Sequence, residues 1–83
     1  QGLLAEAENE YRLVIAVRPE HPQARLSLGI VLQKTGRLDQ ALAEYNRAAS
    51  LGSSEARYNA ASLKIELGRH REAIEELRQI LVE

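Results

Sequence analysis

Apolar residues recur three and four positions apart in five stretches of the chain, separated by short breaks of glycine, proline and serine. In the first stretch Leu4, Ala7, Tyr11, Val14 and Ile15 share one face of a helix predicted over residues 3–17, while Glu6, Glu10 and Arg12 fall elsewhere. Glu8 and Arg12 stand four apart in the order that favours an ion pair on a helix. Arg18-Pro19 stops this helix, because proline lacks the N–H that a helix interior needs, and Pro22 suits the first turn of the next. The second helix is predicted to run to about Thr35, with Ala24, Leu28, Val31 and Leu32 for packing and Gly36 as its C-terminal cap. The third, from about Leu38 to Leu51, carries Leu38, Ala41, Leu42, Tyr45, Ala48 and Ala49. Gly52-Ser53-Ser54 turns the chain, and Ser53 or Ser54 can cap a fourth helix over residues 54–67. Gly68 closes it. A last helix over about 71–82 points Ala73, Ile74, Leu77, Ile80 and Leu81 inward.

The breaks and faces repeat. Gly2, Gly36 and Gly68 each stand five residues before an alanine, Ala7, Ala41 or Ala73, and each alanine is followed four residues later by Tyr11, Tyr45 or Leu77. The period is 34 residues from Ala7 to Ala41 and 32 from Ala41 to Ala73. A fixed period of this size predicts an all-α solenoid of stacked antiparallel helix pairs. We read residues 1–19 as the second helix of a partial repeat, 22–53 as a full repeat and 54–83 as a second, slightly truncated one, all in a single domain. Gly29 and Ala41 are the small residues that let the paired helices of the full repeat approach near the ~8 Å end of the usual range. The shortened turn falls at Gly52-Ser53-Ser54.

Ala24-Arg25-Leu26-Ser27-Leu28-Gly29, Gly36-Arg37-Leu38-Asp39-Gln40-Ala41 and the run from Ala41 through Tyr45 to Ala48 together resemble the tetratricopeptide repeat family. The third copy, Tyr58-Asn59-Ala60-Ala61 with Gly68 and Ala73, is similar but weaker. One departure is Lys64, where the preceding copy has Leu32 and the family favours an aromatic; with Arg57 it makes that row of the fourth helix polar. Either contact there is weak, or it is made by snorkelling stems.

Composition narrows the function classes. The chain has 83 residues, 45% apolar and 28% charged, with a net charge of −1 and no cysteine. No apolar run approaches the ~20 residues that cross a bilayer. No block of like charge suggests a nucleic-acid arm, and three tyrosines give little to stack on bases. Disulfides and thiolate metal sites are excluded, and the compartment is left open. No targeting segment is visible, and a start at Gln1 instead of methionine leads us to expect a fragment or processed segment.

No residue pattern predicts catalysis, a cofactor or a metal. His21 and His70 fall in turns at opposite ends of helices about 12 residues long, hence ~18 Å apart, too far to share a metal or a proton. The acidic cluster Glu6, Glu8 and Glu10 reads as a solvated face, because alternate residues on a helix point to different sides. Gly52-Ser53-Ser54 lacks the spaced glycines of a phosphate loop.

What the resemblance implies is a concave groove lined by the first helix of each pair. The corresponding positions are Gln23, Leu26, Ser27, Ile30, Gln33 and Lys34 in the full repeat. In the next repeat they are Glu55, Tyr58, Asn59, Ser62, Ile65 and Glu66. Leu26, Ile30, Tyr58 and Ile65 would form an apolar stripe, with Gln33 and Asn59 able to hydrogen-bond a peptide backbone. The alternative is that Leu26 and Ile30 only pack repeats together, leaving Tyr58 and Asn59 exposed. The family's two-carboxylate clamp for chaperone tails is matched at Asn59, but Ile30 and Leu26 stand where it needs a second asparagine and a lysine. A ligand with an apolar side chain fits better. The expected function is a non-enzymatic protein-interaction scaffold that binds a peptide or protein partner. Two alternatives stay open: a self-association module acting through uncapped terminal helices, and the substrate-docking region of an enzyme whose catalytic domain is absent.

Overall fold

The computed structural model describes residues 2–68 and 70–82, and their side chains except at 70–73. Among them are five helices and no strand: α1 (Gly2–Val17), α2 (Pro22–Lys34), α3 (Leu38–Ser50), α4 (Ser54–Glu66) and α5 (His70–Val82). Each packs on the next in the chain, with α2 against α3 the most extensive contact. The extents are 35 × 24 × 14 Å. A 16-residue helix is ~24 Å long, so the longest dimension runs across the stack.

Every boundary lies within a residue of its predicted place, because the stop and start signals are local. Gly36 adopts φ +83°, its N–H reaches Gln33 O at 3.1 Å and the Arg37 N–H reaches Leu32 O at 2.9 Å. This pair of bonds satisfies carbonyls that the end of α2 would leave open. Gly52 repeats the arrangement at φ +104°, with Gly52 N–H on Ala49 O and Ser53 N–H on Ala48 O. Ser53 is the cap of α4, its Oγ accepting the Ala56 N–H at 3.0 Å. His21, expected in the turn between repeats, caps α2: its Nδ1 accepts the Ala24 N–H at 3.0 Å.

The core gathers Leu26, Leu28, Leu32, Ala41, Leu42, Tyr45 and Ala48 with Ala56, Ala60 and Leu63 of α4. Tyr11 and Ile15 of α1 pack against it. At its centre Gly29 faces the ring of Tyr45: a Cβ on Gly29 would stand 2.6 Å from Tyr45 Cε1 and 2.7 Å from Cδ1. The small residue is therefore needed for the tyrosine, and Ala41, fully buried, lines the same seam. Ala61 is buried as well. Ala73, expected to point inward from the last helix, lies outside the described side chains.

Three expectations about faces are corrected. Ile74 and Leu81 do not point inward but are 53% and 86% exposed, since no described helix covers that side of α5. Val14 lies at the edge of the packed face of α1 and is exposed. Glu8 is not a solvated acid. Its carboxylate takes Arg37 Nη2 at 2.5 Å, Arg37 Nη1 at 3.1 Å and Arg12 Nε at 3.0 Å, tying α1 to the turn between α2 and α3. Lys64 is buried, and its ammonium pairs with Glu76 of α5, so the polar row is closed by an ion pair between helices. Arg25 of α2 pairs with Glu44 of α3 at 3.1 Å.

Gly29→Ala tests the seam. Alanine is the better helix former by ~1 kcal/mol, yet the clash with a buried ring should outweigh this and leave a net loss of about 1–2 kcal/mol in urea denaturation. An unchanged midpoint would mean that Tyr45 moves aside at no cost.

The Glu8 tie has a pH signature. Hydrogen bonds from Arg37 first and Arg12 second hold its carboxyl at about 2, below the ordinary 4.5. A value lowered on folding stabilises fully above the unfolded pKa and ceases to do so as pH falls through the folded one. Thermal melts should show the native chain more stable than Glu8→Gln at neutral pH, with the gap closing between pH 4.5 and about 2. A gap independent of pH would rule out the carboxylate as its source.

Candidate protein-binding groove

Between α2 and α4 lies a cavity of about 350 Å³ lined by Ile30, Gln33, Lys34, Tyr45, Asn59 and Ser62. Two helices supply its walls because the cores behind them, Leu28 and Leu32 on α2 and Ala60 and Leu63 on α4, turn the opposite ridges toward solvent. Ile30 is half-buried and packed against the core cluster, giving the α2 wall its apolar part.

The floor is polar and already ordered. Tyr45 Oη donates to Gln33 Oε1 at 2.7 Å, and Gln33 Nε2 donates to Glu66 Oε1 at 3.2 Å. Burial, and after it the charge of Glu66, raises the Tyr45 hydroxyl above the usual tyrosine range, so it stays a donor in this chain. Gln33 spends one donor and one acceptor site here and keeps one amide hydrogen and one lone pair for a ligand. Asn59, half-buried on α4, has no hydrogen-bond partner among the described residues, and neither has the exposed Ser62 hydroxyl. The groove therefore presents an uncommitted amide beside an aliphatic wall. Lys34, exposed at the end of α2, adds one cation.

Of the eight residues expected to line the groove, Ile30, Gln33, Asn59 and Ser62 meet in this cavity. Leu26 does not. It is 2% exposed and belongs to the core with Ala56 and Ala60, which removes it from the apolar stripe. Ser27 is half-buried on α2 outside the cavity. Tyr58 and Ile65 sit on α4 at 56% and 40% exposure without lining it, so the α4 part of the stripe is open surface beside the cavity. Tyr45 is the member that sequence reading placed only in the core. The signal was there in its hydroxyl, since a buried tyrosine needs a partner for that end.

Among the described residues no group of histidine and acidic side chains could hold a metal ion. No described helix is long and apolar enough to cross a membrane.

Comparison with known families agrees with this architecture. Two models described as tetratricopeptide repeat match the chain, one over residues 1–56 and the other over residues 54–81. The chain belongs to the tetratricopeptide repeat family. No curated protein matches it significantly. In this tetratricopeptide repeat chain the Leu28-Gly29 pair and Ala41, Tyr45 and Ala48 sit on the seam between α2 and α3, where the family pattern needs small and bulky residues to alternate. Such repeats generally mediate protein–protein interaction.

Tyr45→Phe separates the ring's packing from its hydroxyl. The ring should stay on Gly29 while the bond to Gln33 is lost, costing about 0.5–1.5 kcal/mol in denaturation. The side-chain amide resonance of Gln33 should move. A resonance that stays put would mean that the hydroxyl does not order the floor.

Proposed function

We propose that this chain is a protein-interaction scaffold with no chemistry of its own, which takes a peptide segment of its partner along the groove between α2 and α4. The observation that carries the reading is the side chain of Asn59, half-buried at the cavity with no hydrogen-bond partner among the described residues. An amide can donate to a peptide carbonyl and accept from a peptide N–H at once, which suits an extended backbone. Ile30 beside it offers contact to an aliphatic side chain, and a cavity of about 350 Å³ is at the small end of ligand pockets. It is sized for a side chain or two and not for a folded element. Tyr58, exposed on the same helix, extends the contact along the peptide.

The ligand is not a carboxylate-ended chaperone tail in this reading. Ile30 stands where a clamp would need an asparagine, and the position of the clamp lysine is the buried Leu26.

Peptides selected from a displayed random library should test this. Titrated into isotopically labelled chain, a selected peptide should shift the side-chain amides of Asn59 and Gln33. Asn59→Ala should weaken it roughly tenfold, which corresponds to about one good hydrogen bond. Selected peptides that shift only α1 or α5 would refute the groove as the binding surface.

A further inference from the structure

The two walls of the groove carry opposite charges at the same height. Lys34 of α2 and Glu66 of α4 occupy equivalent places in the two repeats, as Leu26 and Tyr58 do, and both are exposed. The place stays in water when a repeat follows, since Lys34 is exposed although α3 and α4 come after it. Glu66 also turns back into the groove, where its Oε1 takes Gln33 Nε2 at 3.2 Å. After burial, it is the charge of Glu66 that raises the Tyr45 hydroxyl on the floor.

Neither charge is spent. Glu8, Glu44 and Glu76 each pair with a cation. Glu66 and Lys34 have no ion-pair partner among the described residues, each other included. Gln33 fills one of the roughly four lone-pair sites of the Glu66 carboxylate and neutralises none of its charge. Ile30 stands one helical turn before Lys34 on the same wall, ~6 Å along the axis. Two residues of an extended peptide cover about the same length and put both side chains on one side, while the residue between them faces the other way. A strand laid along the groove thus meets Ile30 on α2, Glu66 across from it on α4, and Lys34 on α2 again.

From this we infer that the groove selects a peptide segment in which a basic residue lies between an aliphatic and an acidic one. The aliphatic side chain rests on Ile30, the base meets Glu66 and the acid meets Lys34, an order that holds in either chain direction. The inference rests on the groove being the peptide site and adds which peptide is taken.

Peptides selected on the chain from a displayed random library at low salt, and placed in the groove by shifts of the Asn59 and Gln33 amides, should carry this triplet. In a synthetic copy, exchanging the base and the acid keeps composition and net charge, yet brings like charges together on both walls and should weaken binding roughly tenfold. Replacing the base by an uncharged isostere, citrulline for arginine, should cost affinity for the native chain roughly fivefold, the size of a well-formed exposed ion pair. The same replacement should cost nothing on Glu66→Gln, whose amide oxygen still accepts from Gln33 and whose helicity by circular dichroism should match the native chain. Groove-bound peptides without the triplet, or a citrulline loss equal on both chains, would overturn the inference and leave the groove as the binding site. Selected peptides that shift neither amide, or a library that yields no binder, would overturn the groove reading and this inference with it.

Discussion

A Cβ at position 29 would stand 2.6 Å from the ring of Tyr45, so α2 and α3 approach as closely as they do only because that side chain is missing. The ring fills the space, buried to 1% exposure, and its length carries the hydroxyl through the packed layer to Gln33. Core and groove are thus joined through one residue. Any substitution that pushes the ring away from Gly29 also moves the hydroxyl off Gln33, and with it the amide that reaches Glu66. The polar floor is a consequence of the spacing between two helices.

Side-chain ions carry the remaining registration. Arg25–Glu44 spans α2 and α3, Lys64–Glu76 spans α4 and α5, and Arg37–Glu8 joins the turn after α2 to α1. These pairs differ in what they contribute. Lys64 is buried, so removing Glu76 would leave a charge with little water to solvate it, and the loss would exceed what the pair itself contributes. Leu32, at the equivalent place one repeat earlier, meets the same need with apolar contact. The Lys64–Glu76 pair costs desolvation that a leucine would not.

How far the sequence could be read follows from the range of each interaction. Caps and stops at Pro22, Gly36, Gly52 and Ser53 act within a few residues, and they placed every helix end to within one position. Burial of a given face is not local. Leu26 and Tyr58 occupy the same position of successive repeats, yet one is in the core with Ala56 and Ala60 and the other is 56% exposed, because α4 covers the first and no described helix covers the second. The same reason exposes Ile74 and Leu81. Glu8 and Lys64 escaped for a different cause: their partners Arg37 and Glu76 are 29 and 12 residues away. At the groove, Ile30, Gln33, Asn59 and Ser62 were legible from their place in the repeat. Tyr45 was not, since one residue served two surfaces.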